Sequence, residues 1–172
     1  YSYAAASWAT GGALNTARSG VGGTGATKDA ALAFGGGPPP APTAIAITES
    51  YNGTNWTEVN DLNTQRAYVA GAGTYTSAIA SGGDQYSGVS ESWNGTNWTS
   101  ITNEPSGSNG YGGAGADSTN ALFFGGSPPS DVTRHWNGSS WTVLGTLNTA
   151  RSGIAGAGKT YTAALAAGGS NS

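Results

Sequence analysis

Three arginines recur at matching places in the chain, Arg18, Arg66 and Arg151, each closing a Leu-Asn-Thr-X-Arg segment: LNTAR at 14–18, LNTQR at 62–66 and LNTAR at 147–151. A guanidinium presents five N–H donors in a rigid fork, so such a set is equipped to hold a carboxylate, a phosphate or a row of backbone carbonyls. One reading is an anion-binding ring. The other, preferred here, is a staple in which each fork bonds loop carbonyls of a neighbouring repeat. The third repeat carries Pro105-Ser106 at this place, so a ring of arginines is incomplete. A second chemical cluster is Asp84-Gln85-Tyr86, which combines a carboxylate, an amide and an aromatic ring, the groups a sugar or polar-peptide site uses. Asp84, Gln85, Tyr86, Arg18, Arg66 and Arg151 together define the candidate ligand-binding face.

The remaining residue types argue against catalysis. His135 is the single histidine and the chain has no cysteine, so a zinc or copper site and a Ser-His-Asp arrangement both lack their parts. The glycine-rich stretches precede strands rather than helices, so a phosphate-loop reading is rejected. No catalytic residue, metal or organic cofactor is therefore expected. Charged residues make up only 9% of the chain and the net charge is −3, which offers no footprint for nucleic acid or an anionic membrane. No run of 18 apolar residues is present to span a membrane. Asn52, Asn55, Asn94, Asn97 and Asn137 open glycosylation sequons, but all lie in a repeated Asn-Gly hairpin, where a turn requiring positive φ accounts for them without glycans.

These residues are carried by a fourfold repeat. Double glycines at Gly35-Gly36, Gly82-Gly83, Gly125-Gly126 and Gly168-Gly169 close the small apolar runs AALAFGG, TSAIASGG, NALFFGG and TAALAAGG, 47, 43 and 43 residues apart. Trp8, Trp56, Trp98 and Trp141 keep step with them, as does a Gly-X-Gly at 23–25, 71–73, 113–115 and 156–158. The longer first period is accounted for by the Pro-rich insertion GPPPAPT at 37–43. Each period reads as four short strands: a glycine-rich strand, an apolar strand stopped by the double glycine, and two strands joined through Asn-Gly. No window has a helical period. The recurring Trp set is read as packing between repeats, and Tyr3, Tyr51, Trp93 and Trp136 as its cross-strand partners.

An Arg opening the inner strand, an apolar run ending in Gly-Gly, an aromatic on the third strand and a Trp five residues later together resemble the kelch repeat. In order these are Arg18, Gly35, Gly36, Tyr51 and Trp56; then Arg66, Gly82, Gly83, Trp93 and Trp98; then Gly125, Gly126, Trp136 and Trp141; then Arg151, Gly168, Gly169, Tyr3 and Trp8. The aromatic-to-Trp spacing is shorter than is usual for kelch. The resemblance implies an all-β, four-bladed β-propeller with four-stranded blades at about 14–60, 62–102, 105–144 and 147–169 plus 1–10, forming one domain over 1–172. Residues 1–10 align with 135–143 and are expected to complete the last blade, which otherwise ends after its second strand. A fragment of a larger propeller, or a β-solenoid, remains the alternative. Thr/Asn/Gly-rich repeats of the WNGTNWT kind also resemble those of phage virion and bacterial surface proteins. The expected function is a non-enzymatic structural or binding module of an extracellular or virion surface, recognising protein, glycan or further copies of itself; a kelch-type lyase or oxidase is the alternative.

Overall fold

The computed structural model describes residues 10–40, 43–84 and 87–171. Tyr3, Trp8, the segment 1–9 assigned to the last blade, and Gln85 and Tyr86 lie outside the described residues.

The hairpins follow from local chemistry. In Tyr51-Asn52-Gly53-Thr54-Asn55-Trp56, the Asn52 N–H donates to Asn55 O at 3.2 Å, while its Oδ1 accepts from the N–H groups of Thr54 and Asn55 at 3.0 and 2.9 Å. Gly53 takes a φ of +93°. The same loop recurs at Asn94-Gly95 and Asn137-Gly138, with φ of +94° at both glycines. Each loop folds an aromatic back onto a tryptophan: Tyr51 pairs with Trp56, Trp93 with Trp98 and Trp136 with Trp141, at ring-centroid distances of 5.0, 5.4 and 5.2 Å. The cross-strand reading of these aromatics holds.

The chain is all-β, with almost no helix. Its strands are β1 (Gly22–Thr27), β2 (Ala30–Phe34), β3 (Thr48–Tyr51), β4 (Trp56–Val59), β5 (Ala70–Gly73), β6 (Ala78–Ser81), β7 (Ser90–Trp93), β8 (Trp98–Ile101), β9 (Asn109–Asp117), β10 (Asn120–Ser127), β11 (Ser130–Trp136), β12 (Trp141–Thr160) and β13 (Ala163–Ser170). Among the described residues three antiparallel sheets result: β1-β2-β3-β4, β5-β6-β7-β8 and β13-β12-β11-β10-β9.

Separate blades at 105–144 and 147–169 were expected, whereas β12 runs through both and joins them into one five-stranded sheet. The cause lies in the Leu-Asn-Thr segments. In the first two repeats a buried glutamate holds this segment out of the ladder through its backbone N–H groups: Asn15 N–H donates to Glu49 and Asn63 N–H to Glu91, both at 2.7 Å. Residues 147–151 make no such bond among the described residues. They lie within β12, which stays paired with β11 across an irregularity: Val132 is opposite Thr146 and Ser130 opposite Arg151, with 147–150 between them.

Three apolar layers lie between successive repeats. Leu32 and Phe34 of the first meet Val69, Ala78, Ala80, Trp93 and Trp98 of the second. Ile79 meets Tyr111, Ala121, Phe123 and Trp136 of the third, and Leu122 and Phe124 meet Ile154 of the fourth. Phe34 stands edge-on to Trp98 at 5.0 Å, and the Trp98 indole donates to Thr48 Oγ1 of the preceding sheet at 3.0 Å. Trp98 and Trp141 thus pack between repeats, whereas Trp56 packs on Tyr51 of its own sheet and donates to Gly12 O. Burying Trp or Phe removes a large apolar area from water, which a chain poor in large aliphatics needs.

The double glycines are obligatory: both members of all four have positive φ, from +65° at Gly35 to +125° at Gly83, a region closed to most side chains. The inner glycines are required for a different reason. A Cβ at Gly71 would meet the carbonyl oxygen of Gly23, one at Gly113 that of Gly71, and one at Gly156 that of Gly113. The glycine-rich strands therefore approach backbone to backbone, and residues 23–26, 71–74, 113–116 and 156–159 border one shared cavity of about 680 Å³. At the first repeat the succession stops among the described residues, where a Cβ at Gly23 would meet just Leu32 O of its own sheet, at 3.5 Å.

Candidate functional site

The recurrent arginines each sit at the entrance of an inner strand, and the first two are buried. Arg18 Nη1 donates to Gly35 O at 2.9 Å and to Ile47 O at 2.6 Å, and Nη2 donates to Glu49 at 2.8 Å. Arg66 repeats this with Gly82 O at 2.8 Å, Val89 O at 2.6 Å and Glu91 at 2.9 Å. Both glutamate side chains are fully buried. The fork is a staple across the sheet's own second and third strands, where a staple to the neighbouring repeat was expected. Desolvation lowers the Arg66 pKa from its ordinary value, and the Glu91 charge opposes that shift.

The carboxylate does the other half of the work. Glu91 accepts from Asn63 N–H, Asn63 Nδ2 and Thr64 N–H at 2.7, 2.9 and 3.2 Å in addition to Arg66. Its two oxygens therefore satisfy a turn's backbone donors as well as a guanidinium.

In the third repeat the polarity is reversed. Arg134 occupies the β11 position held by Glu49 in β3 and Glu91 in β7, as the pairings Ala33–Glu49, Ala80–Glu91 and Phe123–Arg134 show. Its counter-ion is Glu104, from the segment that replaces Leu-Asn-Thr-X-Arg. Glu104 also accepts from Ser106 N–H at 3.0 Å, Gly107 N–H at 2.9 Å and the Tyr111 hydroxyl at 2.6 Å. Burial first, and then this bond to Glu104, push the Tyr111 phenol well above its usual pKa, so it stays a donor. The Arg134 guanidinium lies 5.7 Å from the Tyr111 ring centroid, within cation–π range.

Arg151 differs from the rest. Its Nη1 donates to Gly168 O at 2.8 Å, but it has no ion-pair partner among the described residues. It borders an open groove with Asn148, Thr149, Gly168, Gly169 and Asn171.

Of the Asp84-Gln85-Tyr86 cluster, only Asp84 is described. Its carboxylate accepts from the Ala67 N–H at 2.7 Å, and its own N–H donates to Ala67 O at 3.0 Å, which ties it to the residue after Arg66. Asp84 and Arg66 are thus neighbours, while Arg18 and Arg151 belong to the staples of other repeats. His135 sits on β11 with Nε2 3.2 Å from Asn120 Oδ1 and its ring stacked on Tyr161 at 4.1 Å; partial burial lowers its pKa. Among the described residues no three His, Cys, Asp or Glu side chains converge to hold a metal.

Sequence reasoning singled out the arginines and missed Glu49, Glu91, Glu104 and Arg134. The signal was available, since Glu49 and Glu91 each stand two residues before the hairpin aromatic, and the one repeat with Arg in that position is the one that loses the arginine of Leu-Asn-Thr-X-Arg. No protein-family model matches the chain, and no curated protein matches it in sequence.

Proposed function

We propose that the chain is a non-enzymatic binding or structural module, built as a kelch-like ring of four repeats that closes on itself. One observation carries the non-enzymatic reading. The recurrent charged groups, Arg18 with Glu49, Arg66 with Glu91 and Arg134 with Glu104, are spent inside the sheets on each other and on backbone groups. Groups so committed are not available to a substrate. What repeats is therefore a device for holding strands, and recognition falls to the loops and edges. A surface of Ser, Thr, Asn and Gly with few charges suits an extracellular or virion-surface setting, with protein, glycan or a further copy as partner.

Ring closure is supported by the repeat equivalence. Leu32, Ile79 and Leu122 are 1%, 0% and 6% exposed because the following repeat covers them, whereas Leu165 at the same position is 68% exposed. Leu32 shares a core with Ala78, and Ile79 with Ala121, so the counterpart for Leu165 is Ala31, which is half-buried on the outer face of the first sheet. A chain without cysteine makes the test direct. In Ala31→Cys/Leu165→Cys, oxidation should yield a cross-linked monomer; disulfide-linked chains alone, or no bridge, would refute the closed ring. The binding reading is tested by probing glycan and peptide arrays with the chain displayed in many copies. Silence on both, with no self-association, would refute it.

A further inference from the structure

We propose that the groove at Arg151 is a receptor for an extended polypeptide strand carrying Glu-X-Trp or Glu-X-Tyr, which docks on the edge of β13 and places its carboxylate against Arg151. This names the class of partner for the binding module proposed above, and it does not depend on ring closure.

The site is recognisable because the chain contains two filled copies of it. In the first two repeats a glutamate on the third strand is received by three elements: the guanidinium of Arg18 or Arg66, the N–H of Asn15 or Asn63, and the N–H of Thr16 or Thr64. The fourth repeat holds the same receiving residues, Arg151, Asn148 and Thr149, in the same sequence order. Among the described residues they border an open groove and meet no glutamate. The Arg151 fork is already oriented, because Nη1 keeps its bond to Gly168 O at 2.8 Å, the counterpart of Arg18 to Gly35 O and Arg66 to Gly82 O. In the two filled copies, backbone N–H groups and a guanidinium converging in this way make a carboxylate site; in the fourth repeat 147–151 lie within β12, and the incoming carboxylate draws them into the same turn.

The strand edge beside it fixes register. β2 pairs with β3 so that Ala31 faces Tyr51 and Ala33 faces Glu49; β6 pairs with β7 so that Ala78 faces Trp93 and Ala80 faces Glu91. The matching positions of β13 are Ala164 and Ala166, and among the described residues β13 pairs only with β12. An incoming strand running antiparallel to β13 thus sets its Glu opposite Ala166 and its aromatic opposite Ala164. A third contact selects Trp: the indoles of Trp93 and Trp136 donate to Tyr75 O and Ser118 O, both at 3.0 Å, and the equivalent carbonyl here is that of Tyr161. Strand addition supplies backbone hydrogen bonds for affinity, and the Glu and Trp supply specificity. The chain's own first residues, aligned at Tyr3, put Tyr1 where the glutamate belongs, so they lack the carboxylate that the groove is built to receive.

The test titrates the full chain with a synthetic peptide of the sequence 88–101, GVSESWNGTNWTSI, followed by fluorescence anisotropy of a labelled end. Parallel titrations use the peptide with Glu91→Gln, the peptide with Trp93→Ala, and acetate. The parent peptide is expected to bind, with at least a tenfold loss for each substituted peptide and the same loss when the protein carries Arg151→Lys. Thermal melts of the Arg151→Lys protein guard against misfolding, since Arg151 is at the edge and the melting temperature should stay unchanged. No binding of the parent peptide, equal binding of the Glu91→Gln peptide, or displacement by millimolar acetate alone would each overturn the proposal. Binding that appears only after residues 1–9 are removed would also overturn it, by making those residues the occupant. A failed cross-link between positions 31 and 165 leaves this result untouched, so the two readings fail separately.

Discussion

Replacing Glu91 by Gln keeps the shape of the side chain and removes its charge, which isolates what the buried carboxylate contributes. Glu91 is fully buried and accepts four hydrogen bonds, from Asn63 N–H, Asn63 Nδ2, Thr64 N–H and Arg66 Nη2. A glutamine amide keeps one oxygen, and its NH₂ turns two donors toward groups that are themselves donors. Two bonds to a charged acceptor are lost, at about 1.5–3 kcal/mol each, and Arg66 is left buried without its counter-ion. Breaking a buried pair from one side costs about 3–5 kcal/mol, and we expect a destabilisation in that range. Against a total stability of about 5–15 kcal/mol this is a large fraction. In a chain of this length it corresponds to a fall in Tm of roughly 6–20 °C, at about 2–4 °C per kcal/mol. Urea unfolding followed by tryptophan fluorescence measures it, with Glu58→Gln on the exposed side of β4 as the control, expected within about 0.5 kcal/mol of the parent. A loss below about 1 kcal/mol for Glu91→Gln would show that the carboxylate is not holding the strand, and the staple argument would fail with it.

Two further outcomes follow from other parts of the fold. Gly113→Ala sets a methyl against Gly71 O at the closest approach of two inner strands and should cost about 1–3 kcal/mol, whereas Gly145→Ala, with nothing within 4 Å, should be neutral; equal effects in urea unfolding would contradict the close-approach account. The His135 pKa is lowered in the folded chain, so the unfolded chain binds the proton first and stability should fall as pH drops from about 7.5 through the ordinary histidine value near 6.5. Melts of the parent and His135→Gln between pH 7.5 and 5.5 check the sign: the substitution should flatten the slope, and a parent that gains stability as pH falls would refute it.

The hairpins were the most legible part of the sequence, because Asn-Gly between aromatics fixes a turn within six residues, and Tyr51, Trp93 and Trp136 fell opposite their tryptophans as expected. The double glycines were equally clear as the stops of the apolar strands, and both positions take the positive φ that favours glycine. The merging of the last two repeats into one sheet was not legible. It depends on whether a carboxylate from a distant strand holds the Leu-Asn-Thr turn, and LNTAR reads the same at 14–18 and 147–151 whether or not that carboxylate is present. The site was half legible for the same reason. An arginine announces itself by repetition, but its partner Glu49 or Glu91 arrives from more than twenty residues away, and only strand pairing brings it there.

The reversed pair in the third repeat restricts how this gene can be rearranged. Any exchange of DNA between the first and second repeats leaves every buried charge matched, because both carry the arginine before the inner strand and the glutamate after it. An exchange with the third repeat is tolerated only if Glu104 and Arg134 travel together with all of β9 and β10 between them. A crossover inside that stretch would bury two carboxylates in one hybrid product and two guanidiniums in the reciprocal one. The pair of the third repeat can thus be exchanged only as a unit, whereas a crossover between the first two repeats leaves each arginine with a glutamate wherever it falls.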